Sequence, residues 1–323
     1  MLNRRSVLSG FGAGLLLASA GATRAIAADA PLSVVATTGM IADTVARVGG
    51  DLVAVRALMG PGVDPHAYRQ TRTDIVAMAK ADLVLWNGLY LEAQMEEVLV
   101  DMARRTAVKA VAEAVSPDQR IAHDDYNDRF DPHVWMDPAL WRDVAFAVRD
   151  ALTSVSPDQA KTFDANAQAF VAEIDALRSY SADALASVPS EARVLVTAHD
   201  AFNYFGRAYG FEVIGIQGIS TESETGLNRM TELVDLLVER KIASVFVESS
   251  VSDRSVRALI EGAAARGWDV SVGGELYSDA MGASGTYEGT YIGMIDHNVT
   301  VIAVGLGGRV PPRGMTGNLS VGS

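Results

Sequence analysis

The feature that most limits how this chain folds is one long helical pattern set between two stretches that each alternate strands with helices. Ser156-Pro157-Asp158-Gln159 places a capping serine, a proline in the first turn and a glutamine that can complete a capping box, so a helix starts there. From Lys161 to Ser187 no glycine or proline intervenes, Phe163, Ala167, Phe170, Ile174 and Leu177 recur at helical spacing, and Pro189 ends the run. At about 1.5 Å per residue this element is roughly 45 Å long, enough to cross a whole protein. It predicts a rigid strut with little hinge motion.

On the N-terminal side, Leu32 to Thr37, Val53 to Leu58 and Leu83 to Trp86 read as strands, and Ile41 to Val48, Asp74 to Ala81 and Glu92 to Arg104 as helices. On the other side the strands are Arg193 to Thr197, Val213 to Ile216, Ser244 to Val247 and Asp269 to Val272, alternating with helices Leu227 to Arg240, Arg254 to Arg266 and Tyr291 to Val304. Such alternation is most economically a parallel sheet. The expected fold is α/β, with two lobes, each a central, mainly parallel sheet flanked by helices, joined by one long rigid helix. The expected boundaries are 28–155 for the first lobe, 156–188 for the connecting helix, 189–308 for the second lobe and 309–323 for a flexible tail rich in glycine and proline.

Residues 1–27 read as an export signal. Arg4 and Arg5 give a positive start, Ser6 to Ala22 is a weakly apolar run, and Ala25-Ile26-Ala27 is an A-x-A cleavage site, so a mature chain starts near Ala28. The apolar run is too short for a membrane span of roughly 20 residues. Asn3-Arg4-Arg5-Ser6-Val7-Leu8 also resembles a twin-arginine signal, leaving Sec and twin-arginine export both open. There is no cysteine, which excludes disulfides, thiolate metal sites and a lipidated cysteine, and implies a protein free in the periplasm with no direct membrane anchor. The net charge of −13 disfavours nucleic acid as a partner and favours cations, although simple solubility explains it as well.

Without thiolates, imidazole and carboxylate are the donors a borderline metal ion would use. The five histidines are His66, His123, His133, His199 and His297. His66 and His133 each follow Asp-Pro, which stiffens the loop that presents them. Two unrelated turn histidines would look the same. His199 lies two residues beyond a strand's carboxyl end, where open α/β sheets bind ligands. Asp279 also lies beyond a strand, as a helix cap would. Gaps of 67, 66 and 80 residues separate these four, so no local spacing rule joins them.

Four separated segments, in order, carry a resemblance over nearly the whole mature chain: GVDPHAY around His66, DPHVWMDP around His133, VTAHDAFNYF around His199, and GGELYSDAMG with TYEGTYIGM around Asp279. Through them the chain resembles the ZnuA/TroA group, the cluster A-I metal-binding solute-binding proteins of ABC importers. The resemblance implies a metal site in the cleft between lobes, with His66 and His133 from the first and His199 and Asp279 from the second. It implies a monomeric, non-enzymatic receptor that delivers a divalent ion to the importer's membrane permease. Histidine at the third position suits Zn2+, with Mn2+ the alternative if Asp279 binds through both oxygens. The long histidine-rich loop of dedicated zinc receptors is absent; residues 123–128 are short, acidic and hold only His123.

Gly10-Phe11-Gly12-Ala13-Gly14 lies in the signal and follows no strand, so it is no dinucleotide fingerprint, and no phosphate-binding G-x-x-x-x-G-K-[ST] run occurs. His297 sits in an apolar helix as a structural histidine. Asp64, Asp131 and Asp200 are candidates to orient imidazoles. Two rival functions use the same residues, a periplasmic zinc hydrolase and a metal-binding adhesin. The hydrolase needs an open coordination position and a general base beside the metal, and no ligand has an adjoining glutamate in the H-E-x-x-H manner.

Overall fold

Parallel β-structure with helical crossovers organises both halves of the chain. The structure, a computed structural model, describes residues 30–122, 129–223 and 225–320; the export signal and residues 123–128 with His123 lie outside the described residues. In the first half, β1 (Leu32–Ala36), β2 (Val53–Ala57), β3 (Leu83–Trp86) and β4 (Val108–Ala110) form one sheet in the order β2-β1-β3-β4, every pair parallel. All four residues of β3 are buried, as a continuous apolar run in a covered sheet requires. Helix α1 (Gly39–Gly49) buries Met40, Ile41, Val45 and Val48, and α2 (Arg72–Lys80) opens on a complete capping box between Thr71 and Asp74.

Helix α3 (Glu96–Met102) begins four residues later than the periodicity predicts. The buried Glu92 carboxylate is engaged elsewhere, accepting from the backbone N–H groups of Asn87 and Gly88 and from the Thr37 hydroxyl. It thereby clamps a turn in which Leu89 and Tyr90 hold positive φ, a backbone that cannot continue into a helix. Helix α4 (Pro138–Val155) was not anticipated; it starts on Asp137, whose side chain accepts from Ala139 N, with Pro138 in the first turn.

The long helix, α5, runs Ala160–Ala186 and is about 40 Å long. Phe163, Ala167, Phe170, Ile174 and Leu177 are all buried along it, against α1, α4 and the last helix, α9 (Tyr291–Gly305). Packing therefore holds this helix in place along its length. The expected capping box at Ser156 does not form: its side chain makes no cap bond, and Pro157–Gln159 is a tighter 3-10 turn leading into the helix.

In the second half, β5 (Val194–Thr197) pairs with β6 (Glu212–Gly215) and β7 (Ser244–Glu248) with β8 (Ser271–Leu276), each pair parallel, with β5 lying beside β7. The β7–β8 register shifts between Val245 and Phe246. There β8 passes between Phe246 and Val301 through Gly273 and Gly274, where a Cβ would fall 2.8 Å from the Phe246 ring and 2.4 Å from Val301. Helices α6 (Asn203–Tyr209), α7 (Leu227–Arg240) and α8 (Arg254–Ala265) supply the crossovers. Residues 309–320, expected to be loose, are tied down. Arg309 N donates to Ser187 Oγ, Met315 N to the Asp296 carboxylate and Ser320 N to Glu288, while Leu319 is fully buried. No helix of the described residues is long and apolar enough to cross a membrane.

Candidate metal centre

Loops and strand ends from both halves deliver the four singled-out side chains to one place. His66 follows β2 on a loop where Asp64 Oδ1 accepts its backbone N–H (2.8 Å). His133 is held the same way by Asp131 Oδ1 (2.9 Å), so the two Asp-Pro-His segments share one turn. Asp131 goes further: the same oxygen accepts from His133 Nδ1 (2.7 Å), its Oδ2 accepts from Asn203 Nδ2 (3.1 Å), and its carbonyl accepts from the Tyr204 hydroxyl (2.8 Å). His199, just past β5, has its backbone carbonyl bonded by Thr197 Oγ1. Asp279 lies beyond β8, and the indole N–H of Trp135 donates to the carbonyl of its neighbour Ser278 (2.8 Å), joining the two halves at the site.

His66, His133, His199 and Asp279 each offer an atom within 4.8 Å of all the others, and all four are buried. The Nε2 atoms of His66 and His133 are 3.2 Å apart. Asp279 Oδ1 is 3.4 Å from His133 Nε2, and its Oδ2 is 3.2 Å from His199 Nε2 and 3.8 Å from His66 Nε2. Bonds of about 2.0 to 2.1 Å to a tetrahedral ion set ligand atoms about 3.3 Å apart, so these spacings are those of a coordination shell. His199 Nε2 and both Asp279 oxygens are buried without a hydrogen-bond partner. Orphaned polar atoms of this kind are costly unless something binds them. Asp279 caps no helix.

Carboxylates behind the rings aim their lone pairs. Asp131 takes the Nδ1 proton of His133, and Glu248, at the end of β7, accepts from His199 at both Nδ1 (2.5 Å) and backbone N (2.9 Å). A proton fixed on Nδ1 leaves Nε2 free to donate its pair to an ion. Of the candidate orienting residues, Asp131 does this. Asp64 holds only backbone, with its other oxygen bonded by Thr221 Oγ1 (2.6 Å) from the second half. Asp200 is not the partner of His199 Nδ1. Glu248 takes that role, and it was not foreseen; the signal was its place at a parallel strand's carboxyl end, beside the strand that leads to His199. His297 lies apart, its Nε2 bonded to the Glu275 carbonyl (2.9 Å).

Burial and neighbouring charge shift all four groups strongly. Burial pushes His66 down to about 3, keeping it neutral. Burial also opposes charge on His133, but Asp131 and then Asp279 outweigh it and lift that ring to about 9. For His199 the same contest, against Asp279 and Glu248, ends well above the usual imidazole value. Asp279, despite burial, is held well below the carboxylate range by His199 and His133. The carboxylates thus favour protons on His133 and His199, and those two rings in turn favour charge on Asp279.

The fold and this cluster together define the class, a solute-binding protein whose cargo is a metal ion. The family described as Zinc-uptake complex component A periplasmic (ZnuA) matches residues 34–305, and the chain belongs to it. It is 46% identical over 279 residues to the manganese-binding lipoprotein MntA of Bacillus subtilis, covering 86% of this chain and 91% of that one. It is also 46% identical over 280 residues to the zinc-binding protein TroA of Treponema pallidum, covering 87% and 90%. The solved structure of the periplasmic zinc-binding protein TroA from Treponema pallidum superposes with a TM-score of 0.83 at 45% identity, covering 86% of this chain and 100% of that one. The family serves ABC-type metal importers as their substrate-binding component and is not enzymatic.

Proposed function

We propose that His66, His133, His199 and Asp279 bind a single divalent ion, Zn2+ before Mn2+, and that the receptor hands it to the permease of an ABC importer. The observation that carries this reading is the convergence of three Nε2 atoms and a carboxylate at coordination-shell spacings, buried and without other partners. Three imidazoles and one carboxylate favour zinc by the Irving–Williams order. Manganese is the second reading because each Asp279 oxygen faces a different histidine, so both can bind and raise the coordination number. Four protein ligands close a tetrahedral shell, leaving no water position for hydrolysis.

The receptor acts as a monomer in the periplasm, its signal cleaved after Ala27. The chain has no cysteine to carry a lipid, whereas the MntA relative is a lipoprotein by name. Residues 28–155 and 189–308 act as the two lobes and 156–188 as the connector. Ligands drawn from both halves make ion binding favour one arrangement of the two, which a permease can sense. The test is elemental analysis of protein from its native periplasm, followed by competition titration of the ion-free form with zinc and manganese. His133→Ala and Asp279→Ala are each expected to abolish high-affinity binding; unchanged affinity in both refutes the site.

A further inference from the structure

The four converging residues are at most 3% exposed, so an ion needs a way in. One cavity of about 380 Å³ reaches one of them, Asp279, which lies in its wall. Its mouth is formed by exposed residues of both halves, among them Ala46, Ala57, Gly60 and Ser284, and its inner end by the buried Met59, Met281 and Asp279. No basic side chain lines it, and Asp43 adds a second carboxylate, one oxygen of which accepts from Tyr291 N (3.0 Å). At about 30 Å³ per water the space holds roughly a dozen waters, enough for a dication with its inner hydration shell. Two other clefts flank the centre, one lined by Asp200 and Arg229 and one by Asp64 and Arg254. Neither includes any of the four residues in its wall, and each carries an arginine that repels a cation.

We propose that the cavity between α1 and the 280–289 loop is the route by which the hydrated divalent cation reaches and leaves the centre, with Asp279 the first ligand it meets. This rests on the receptor function proposed above. The cation exchanges water for the carboxylate at the inner end of the cavity, then for the three imidazoles behind it, and leaves in reverse order. A route differs from a binding site in its kinetics: narrowing it slows arrival and departure by the same factor and leaves Kd untouched.

The test is stopped-flow measurement of zinc uptake, and of release into excess chelator, followed with a zinc-responsive indicator. The proteins are the unmodified chain, Ala46→Trp and Ser284→Trp, which narrow the mouth from opposite walls at exposed positions, and Ser154→Trp, which fills an unrelated surface cleft. Both mouth variants are expected to lower kon and koff together by about tenfold with Kd unchanged, while Ser154→Trp behaves as the unmodified chain. Unmodified kon and koff in both mouth variants, at unmodified Kd, overturn the route and leave the receptor function standing. A shift of Kd through koff alone also overturns it, because the cavity would then belong to the bound state. Failure of the unmodified chain to bind zinc refutes the receptor reading and the route with it.

Discussion

Replacing Glu248 by glutamine isolates what an orienting carboxylate contributes to ion binding. Glu248 is buried and accepts from His199 at Nδ1 and backbone N, at 2.5 and 2.9 Å. An amide offers those two N–H groups one acceptor and one donor. If its oxygen faces the ring, the backbone N–H is left against an NH2; if its nitrogen does, the ring is driven to the tautomer whose proton points at the ion. Exchanging a charge-assisted bond for a neutral one costs about 1 to 2 kcal/mol, or roughly 5- to 30-fold in affinity. A second effect opposes the first. Glu248 is one of the groups that raise His199, so the variant also relieves proton competition. The loss in E248Q is therefore expected to be larger in alkaline than in mildly acidic buffer, and its affinity to change less steeply with pH. Competition titration against a zinc-chelating indicator across that range, with thermal unfolding of both ion-free proteins as control, reads both effects. An E248Q affinity matching the unmodified chain at every pH would refute the orienting role.

Four further outcomes follow from the structure. Binding expels protons from His133, at about 9, and from His199, so zinc affinity is expected to fall on acidification, with log K against pH approaching a slope of two near neutrality; a flat titration refutes the protonation states given above. Because the folded pKa of His133 is raised, its contribution to the stability of the ion-free protein is full below about 6.5 and is lost as pH rises through about 9, which unfolding midpoints across that window will show. Thr221→Val removes a bond between the halves beside His66 and is expected to weaken zinc binding by up to about tenfold, read by the same titration. Phe170→Ala empties a buried position on α5 and is expected to cost about 3 to 5 kcal/mol in denaturant unfolding, far more than a change on that helix's exposed face.

What could be read from the residues was whatever periodicity or a rigid turn makes local. The strut was legible because five apolar residues at helical spacing, uninterrupted by glycine or proline, can do little else, and its packing against α1, α4 and α9 gives that periodicity its cause. His66 and His133 stood out because Asp-Pro before each predicts a stiff turn, and the turn is made by the aspartate accepting the histidine's own N–H. The misses lie where a side chain answers to a distant partner. Glu92 has helical neighbours, yet Thr37 and the Asn87–Gly88 turn claim its carboxylate and delay α3. The glycines and prolines after residue 308 suggest looseness, yet Asp296 and Glu288 bind that backbone. Glu248 is the most instructive, since its own segment marks it only as the end of a strand; it meets His199, 49 residues earlier, because β7 lies beside β5 with both carboxyl ends at the same edge. Asp131, by contrast, reaches the His133 ring from two residues away, within the same Asp-Pro-His turn. Glu248 reaches His199 only across neighbouring strands, so one orienting carboxylate is readable from its own turn and the other only from the sheet.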